Sequence, residues 1–224
     1  MNTEAFAAAT KALGLELTQA QLDSFASFEE ALYKANEVTN LTRVPREEAW
    51  LRHFLDSLLF IDLIPQNAKV LDIGTGAGFP AWPLACARPD LQVTALDANN
   101  KVITFLKTVL LPNLQTKQVR AEEWGTKEQY DVVTGRAVAP LSAQLELSAA
   151  PCKIGGVVIP MRTPTDRMAA ETAHVSTLGL KLVEIHEREL PGTDAVRLFP
   201  IFLKDDRTHP RYPRRWAEIK SKPL

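Results

Sequence analysis

The sequence has 224 residues, 46% hydrophobic and 24% charged, which is enough to bury one large core in a single domain with small extensions. Its net charge of −1 argues against a general electrostatic attraction to nucleic acid. The apolar runs are far shorter than the roughly 20 residues that span a bilayer, and no signal or transit peptide is visible, so a cytoplasmic protein without a membrane partner is expected.

The first third of the chain is predicted to be helical. Over residues 3–36, apolar side chains recur at three- and four-residue spacings, and Thr18 fits an N-cap before the second helix. A further helix is predicted over residues 47–63. Its apolar face carries Trp50, Phe54, Leu58 and Ile61. Together these helices form a predicted N-terminal cap, residues 1–64.

From Lys69 onward, short β-branched runs alternate with helical segments, which is typical of a parallel sheet covered by helices on both faces. Strands are predicted over residues 69–73, 92–97, 115–119, 131–135, 155–161, 181–189 and 196–203. Helices are predicted over residues 80–87, 99–110, 140–150 and 165–178. This pattern predicts one α/β unit over residues 65–204.

The C-terminal segment, residues 205–224, is predicted to be a basic arm. Residues 209–224 carry prolines and little periodicity, which favours an arm on the surface. Between Lys204 and Lys222 there are seven basic and three acidic residues, a local excess of four positive charges. Such an arm attracts phosphate although the whole chain does not.

A glycine-rich loop follows the first predicted strand. Asp72, Gly74, Gly76 and Gly78 are spaced two apart, which gives a tight turn whose backbone a nucleotide cofactor can approach. The dinucleotide fingerprint places its third glycine one residue later. Because S-adenosylmethionine carries a cationic sulfonium and ammonium that Asp72 can face, the loop favours this cofactor over NAD. It predicts a Rossmann-like methyltransferase.

Other candidate cofactor residues follow later strands, at the carboxyl edge where open parallel sheets bind ligands. Asp97 ends the second strand and can accept two hydrogen bonds from a ribose diol, or it could cap the next helix. A backbone amide at Ala121 could recognise the adenine. Arg136 ends the fourth strand and can reach the cofactor carboxylate or an RNA phosphate, or it could be a solvated surface arginine.

The sequence lacks motifs that certain methyl acceptors require, and their absence narrows the class of acceptor. In-line displacement at a sulfonium needs a general base only if the attacking atom carries a proton. The fourth strand has Gly135-Arg136-Ala137 in place of the Asn/Asp-Pro-Pro-Tyr/Phe ending that holds an exocyclic amine. Attack on C5 of a pyrimidine would need a nucleophilic cysteine near the end of the fourth strand, whereas Cys152 lies further along the chain, just before the fifth strand. Cys152 and Cys86 are predicted to be packed thiols that bind no metal. An acceptor with a free lone pair, such as purine N7, remains.

Several blocks form a more specific pattern. The most distinctive are His53-Phe54-Leu55-Asp56-Ser57-Leu58 and the ending Tyr212-Pro213-Arg214-Arg215 through Lys222-Pro223-Leu224. The others are Asn36 with Asn40-Leu41-Thr42, Val70 to Pro80, Lys101 with Phe105-Leu106, Arg120-Ala121-Glu122 and Arg136-Ala137. From about residue 32 onward, the chain resembles the RsmG family, also called GidB, of bacterial guanine-N7 methyltransferases acting on 16S ribosomal RNA.

The resemblance implies a class I methyltransferase with a seven-stranded, mostly parallel sheet and an N-terminal helical cap. It implies S-adenosylmethionine as cofactor, 16S ribosomal RNA or the small ribosomal subunit as partner, and a monomer. It also implies cofactor contacts at Gly74, Phe79, Ala121, Glu122 and Arg136. The chain departs from the family pattern at Ala81, Trp82, residues 98–100, Gly135 (usually Ser) and Met161-Arg162 (usually Lys-Gly). These departures bear on the acceptor side, and Trp82 could either narrow the pocket or fill the core.

The residues expected to face RNA are Asn40, Arg43, Arg52, His53, Arg162, Arg211, Arg214 and Arg215. His53 and Asp56 share one helical face, where they either take part in the site or fix the cap on the main domain. No catalytic residue is assigned, and Arg136 and His53 are the candidates. Three other functions stay open: an NAD-linked oxidoreductase, a methyltransferase of a small molecule or another RNA, and a non-catalytic RNA-binding protein.

Overall fold

The computed structural model describes residues 1–125 and 127–224. In these ranges seven strands form one sheet, with a hydrophobic cluster on each side of it. None of the helices found there has the length and apolar character needed to cross a membrane. The predicted α/β architecture with helices at its N-terminus is confirmed.

The N-terminal helices hold the cap together. Helix α1 spans Thr3–Ala12 and helix α2 spans Gln19–Thr39, as the apolar spacing predicted. Thr18 begins α2 with a capping box: Thr18 N donates to Gln21 Oε1 at 2.8 Å, and Gln21 N donates to Thr18 Oγ1 at 3.3 Å. The same Gln21 side chain donates to the Cys86 carbonyl at 2.8 Å, which ties the cap to the sheet domain.

The prediction of one regular helix over residues 47–63 is wrong. The segment consists of 3-10 turns at Arg46–Glu48 and Ile61–Leu63, a π-helix at Trp50–Leu55 and one α-helical turn, α3, at Asp56–Leu58. Side chains bind its carbonyls: Ser57 Oγ donates to His53 O at 2.6 Å, and Arg136 Nη1 donates to Arg52 O at 3.1 Å. Such side-chain bonds compete with regular helical bonds, and apolar spacing alone does not reveal them.

The sheet has seven strands, and all seven were predicted to within three residues of their ends. They are β1 Lys69–Ile73, β2 Gln92–Asp97, β3 Leu114–Gln118, β4 Tyr130–Arg136, β5 Cys152–Met161, β6 Leu180–Glu189 and β7 Val196–Lys204. Their order is β3-β2-β1-β4-β5-β7-β6, with β7 antiparallel to both neighbours and the other pairs parallel. The chain reverses its direction of winding between β1 and β4, which is where open sheets of this kind bind ligands.

Four helices connect the strands. They are α4 Ala81–Ala87, α5 Asn100–Thr108, α6 Leu141–Ala149 and α7 Arg167–Glu171. The first three match the predicted helices. The fourth prediction, residues 165–178, is wrong beyond α7: Thr172 Oγ1 donates back to Met168 O at 2.8 Å, and the chain then turns to bury Val175.

The side of the sheet under the cap is packed with aromatic rings. Phe28 lies 4.1 Å from Trp82 between ring centroids, and Phe25 and Phe54 lie 5.2 Å apart in the same cluster. Trp82 is only 3% exposed, and its Nε1 donates to Val109 O at 2.7 Å. Trp82 therefore fills the core beneath the cap, which resolves the two alternatives for this departure.

Residues 209–224, the predicted surface arm, are mostly exposed, but they dock on the domain through two buried side chains. The segment contains a short helix, α8, at Trp216–Ser221. Tyr212 and Ile219 are 3% and 1% exposed and belong to the hydrophobic cluster on the face of the sheet opposite the cap. Because two isolated apolar anchors produce no periodic pattern, the sequence did not reveal that the arm docks on the domain.

Candidate functional site

The glycine-rich loop leaves β1 at the switch point. Gly74, Gly76 and Gly78 have left-handed φ angles of 66°, 54° and 103°, which favour glycine. Gly74 N donates to Leu96 O at 2.8 Å, so the loop is tied to the end of β2. A Cβ at Gly76 would meet nothing within 4 Å, whereas one at Gly78 would lie 2.7 Å from Leu106 Cδ2. The loop thus has one open backbone face and one packed end.

Asp72 lies beneath this loop and is fully buried. Its Oδ2 accepts a hydrogen bond from Ala81 N at 3.0 Å, while Oδ1 has no hydrogen-bond partner among the described residues. Burial raises the pKa of Asp72 to about 7. A buried carboxyl group with a free oxygen favours a cation bound above the loop. Asp72 therefore fits the predicted cofactor through electrostatic attraction and not through direct contact.

A cavity of about 220 Å³, here called the adenosine pocket, opens beside the loop. Its walls include Gly74, Asp97, Ala98, Ala121, Glu122 and Trp216. Four of these, Gly74, Asp97, Ala121 and Glu122, were predicted to bind the cofactor. Apolar walls with a carboxylate and backbone groups suit a purine nucleoside, so the residues present fit S-adenosylmethionine.

Asp97 serves the loop as well as the pocket. Its Oδ2 accepts from Gly76 N at 3.0 Å, and its Oδ1 accepts from the backbone N of Asn99, the N-cap residue of α5, at 2.8 Å. Each carboxylate oxygen has a second lone pair that can accept another hydrogen bond. Because Asn99 itself caps α5, with its Oδ1 accepting from Lys101 N at 2.9 Å, Asp97 does not cap this helix, and its ribose contact stays a prediction.

A second cavity of about 410 Å³, here called the arginine pocket, lies at the carboxyl end of β4. It is lined by Arg52, Arg136, Arg162 and Arg197, by Asp56 and Asp166, and by neutral residues that include His53, Ala137 and Met161. Guanidinium groups outnumber carboxylates in this lining. Because arginine pairs with phosphate through two parallel hydrogen bonds, the arginine pocket suits a phosphate-bearing ligand.

Asp56 is the centre of the arginine pocket. Its carboxylate, 2% exposed, accepts from Arg136 Nη1 at 3.1 Å and from Arg197 Nε at 2.7 Å. These bonds join the cap to β4 and β7. Of the alternatives for His53 and Asp56, fixing the cap on the main domain is thus confirmed, and Arg136 is not a solvated arginine.

His53 is held on three sides. Its ring stacks on Phe79 at 4.2 Å with a 5° interplanar angle, Nε2 lies 2.7 Å from Thr42 Oγ1, and Nδ1 lies 3.1 Å from Arg136 Nη2. Because arginine only donates, Nδ1 accepts and Nε2 carries the proton. Burial, with the Arg136 charge next in importance, lowers the pKa of His53 to about 3. His53 is therefore neutral, and Phe79, 3% exposed, packs against it, so its cofactor contact stays a prediction.

Two departures from the family pattern are linked in space. Arg162, 8% exposed, donates through Nη1 to Ala139 O at 2.9 Å and through Nη2 to Gln144 Oε1. Gln144 Nε2 in turn donates to Gly135 O at 3.0 Å. A Cβ at Gly135 would lie 2.7 Å from Ile73 O and 2.8 Å from Gln144 Nε2. Gly135 therefore makes room for the Gln144 side chain that Arg162 holds.

The predicted RNA-facing residues differ in exposure and in their partners within the fold. The exposed ones are Asn40, Arg43, Arg52, Arg211 and Arg215, of which Arg52 donates to Glu48 Oε2 at 2.6 Å and Arg211 donates to the Tyr212 hydroxyl. Arg214 instead donates through its backbone N to Glu146 Oε1 at 2.8 Å and through Nη2 to Oε2 at 2.6 Å, and Glu146 is fully buried. Lys204 is also buried, with Nζ 2.9 Å from Leu178 O, and burial lowers its pKa. Fewer arm charges are thus available to phosphate than the sequence count suggested.

Sequence reasoning missed Arg197 and Trp216. Arg197 lies between Val196 and Leu198 in β7, where the alternation of side chains predicts that a charged residue faces solvent. The only signal for Arg197 is an arginine within a mostly apolar strand, and the fold alone brings it to Asp56. No signal in the sequence places Trp216 at the adenosine pocket.

Both cysteines are buried, and burial raises the pKa of each thiol to about 12. Cys152 lies at the amino end of β5, away from the carboxyl edge that carries both pockets. The prediction of packed thiols is confirmed.

Comparison with known proteins gives close relatives over the whole chain. The GidB family, described as rRNA small subunit methyltransferase G, matches residues 21–192. A protein named ribosomal RNA small subunit methyltransferase G from Lysinibacillus sphaericus is 38% identical, with 96% of each chain covered. A protein of the same name from Lactobacillus johnsonii is 34% identical, with 100% of each chain covered.

Solved structures share the fold at low sequence identity. A SAM-dependent methyltransferase from Aquifex aeolicus superposes with a TM-score of 0.55 at 13% identity, covering 77% of this chain and 98% of its own. A predicted O-methyltransferase from Agrobacterium tumefaciens gives 0.55 at 19% identity, covering 69% and 80%. The predicted Rossmann-like methyltransferase fold is confirmed.

Proposed function

Because this chain belongs to the GidB family of rRNA small subunit methyltransferases, we propose that it transfers the methyl group of S-adenosylmethionine to N7 of one guanine in 16S ribosomal RNA. The observation that carries the proposal is the arginine pocket beside the glycine loop. Arg136 and Arg197 hold Asp56 there, and Arg52 and Arg162 complete the wall. A nucleotide of an RNA strand can place its phosphate against these guanidinium groups while its base lies toward the loop.

The residues around the arginine pocket support an acceptor that needs no base. His53 is neutral, but both of its ring nitrogens are engaged, by Thr42 and Arg136. The Asp56 carboxylate is already paired on both oxygens. Guanine N7 offers a lone pair without a proton, so neither group has to act as a general base. The bound cofactor supplies the electrophilic methyl group.

The protein's contribution is therefore alignment and electrostatics. Arg136 lies between the cap and the end of β4, where it orients His53 and Asp56 together. Methylation at N7 leaves a positive charge on the purine. Asp166, whose side chain is 33% exposed at the rim of the arginine pocket, is a carboxylate that can face this charge.

The test is methylation of small ribosomal subunits taken from a strain that lacks the gene, with methyl-labelled S-adenosylmethionine. We expect about one labelled methyl per subunit, recovered as 7-methylguanosine, and no labelling of subunits from the parent strain. Label in another nucleoside would contradict the acceptor assignment. Label transferred only to small molecules, or identical 7-methylguanosine in both strains, would favour the alternatives that the sequence left open.

The substrate form is tested by the same assay. Naked 16S RNA, assembling particles and complete subunits can be offered in parallel, and the best acceptor identifies the partner. A monomer and a cytoplasmic location remain predictions from the sequence.

A further inference from the structure

The C-terminal arm reaches the adenosine pocket. Trp216, the first residue of α8, lines this cavity together with Asp97, Ala98 and Ala121. Its side chain is 37% exposed, so part of the indole remains open. The other lining residues come from the sheet edge or from α6, and Trp216 alone comes from the last 20 residues of the chain. The arm therefore contributes one wall of the cavity.

The position of Trp216 is fixed by its neighbours in the chain. Two residues earlier, the Arg214 guanidinium and backbone N bind the buried Glu146 carboxylate on α6. Three residues later, Ile219 is 1% exposed in the hydrophobic cluster. That cluster also contains Ile73, Leu96 and Leu147, which line the adenosine pocket. These anchors on both sides of Trp216 hold its indole at the wall of the pocket, and neither anchor covers the indole.

The chemistry of the pocket suits a planar aromatic wall. Asp97 offers carboxylate oxygens for hydroxyl groups, and Ala98, Val119 and Val138 offer small apolar surfaces. A purine buries its two faces best between flat or apolar groups, and an indole provides the largest flat face among side chains. The exposed Arg211 and Arg215 lie on the same arm, so one segment carries both a pocket wall and charges that can bind phosphate.

We propose that Trp216 is a cofactor-binding residue that packs on the adenosine part of S-adenosylmethionine, and that the arm is part of the cofactor site. This rests on the proposed function only in its choice of cofactor. It also affects the use of truncation to measure RNA binding by the arm. Removing residues after His209 would delete Tyr212, Arg214 and Ile219 together with Trp216, so a truncation does not measure RNA binding alone.

The experiment measures binding of S-adenosylhomocysteine and 5′-methylthioadenosine by calorimetry to the full chain and to Trp216→Ala, Trp216→Phe and Lys220→Ala. 5′-Methylthioadenosine keeps the adenosine part and lacks the amino acid part. Stacking on a base is worth about a tenfold change in affinity, so we expect Trp216→Ala to raise both Kd values roughly tenfold. Trp216→Phe should recover most of the loss. Lys220→Ala, on the same helix but outside the pocket lining, should leave both values unchanged.

Wild-type affinity of Trp216→Ala for both ligands would overturn the inference, as would a loss confined to S-adenosylhomocysteine. If Trp216→Ala does not fold by circular dichroism, tryptophan fluorescence decides the matter. Emission of the full chain should then change on binding 5′-methylthioadenosine and change much less in Trp216→Phe, and equal changes would overturn the inference. A wild-type chain that binds neither ligand would instead contradict the proposed function.

Discussion

The adenosine pocket and the arginine pocket share one edge of the sheet, but they are built from different parts of the chain. Most of the adenosine pocket comes from residues at or just after the carboxyl ends of β1, β2 and β3, such as Gly74, Asp97 and Ala121, and Trp216 of the arm adds one wall. The arginine pocket uses long charged side chains from the cap and from strands that are distant in sequence, such as Arg52 and Arg197. Fold topology places most of the first pocket, whereas the second depends mainly on a network of ion pairs.

This difference predicts that the arginine pocket is the more sensitive to a single substitution. Asp56→Ala leaves Arg136 and Arg197 without the buried carboxylate that joins the cap to the sheet. We expect a loss of about 3 kcal/mol in the free energy of unfolding, measured with urea, and a large loss of RNA methylation. Binding of S-adenosylhomocysteine should change much less.

Asp166→Ala is the matched control, because its carboxylate is 3.9 Å from Arg162 and partly exposed. Its stability should stay within about 0.5 kcal/mol of wild type. Equal effects of the two substitutions on stability would show that the ion-pair network does not hold the arginine pocket.

The second prediction concerns Gly135 in β4, which directly precedes the arginine-pocket residues Arg136 and Ala137. Gly135→Ala adds a Cβ that would lie 2.7 Å from the Ile73 carbonyl and 2.8 Å from Gln144 Nε2. We expect a loss of about 1–3 kcal/mol in urea unfolding, since the backbone of β1 cannot move aside cheaply. Gly125→Ala, where a Cβ meets no described residue outside its chain neighbours within 4 Å, should be nearly neutral. A stable Gly135→Ala variant would mean that serine or alanine fits there without rearrangement.

The third prediction tests whether the cofactor side depends on a charge beneath the loop. In the free protein the pKa of Asp72 is about 7, so the group is mostly protonated below that pH. A cation above the loop favours the carboxylate, so binding of S-adenosylmethionine should strengthen as pH rises from 6 to 8, by up to about tenfold. The free protein should lose stability over the same rise, because its folded-state pKa lies above the unfolded value.

Asp72→Asn removes this titration and serves as the control for groups that ionise on the ligand. The affinity of Asp72→Asn for S-adenosylmethionine, measured by calorimetry at three pH values, should then no longer show the rise with pH that the Asp72 carboxyl causes. An unchanged pH profile in Asp72→Asn would assign the dependence elsewhere.

The smallest effect is expected on the exposed part of the arm. Arg215→Ala removes an exposed charge that has no ion-pair partner among the described residues, so RNA affinity should fall several-fold and the salt slope should decrease by about one. Binding of 5′-methylthioadenosine should not change. Lys153→Ala, at the amino end of β5 and therefore at the opposite edge of the sheet, is the control. Equal losses for both would indicate general attraction and not a defined RNA path.

Much of the fold was predictable because its signals are local. Several strands contain short β-branched or apolar runs, such as Val70 to Ile73 and Val157 to Ile159, and the capping box at Thr18 lies within four residues of sequence. The π-helix at Trp50–Leu55 and the end of α7 were not predictable, because carbonyl-binding side chains and tertiary packing override helix propensity there. The docked arm was missed for a similar reason, since Tyr212 and Ile219 are single anchors without a repeat.

The sequence by itself determined the glycine loop on the cofactor side of this protein: the spacing of Gly74, Gly76 and Gly78 specifies a loop geometry that only glycine adopts readily. Only the tertiary structure decided which charged side chains are available to bind phosphate. It buried Lys204, paired Arg214 with Glu146 and brought Arg197 to Asp56. The physical reason is that backbone conformation is set by neighbours in the chain, whereas the partner of a long charged side chain is set by whichever distant element the fold places within its reach.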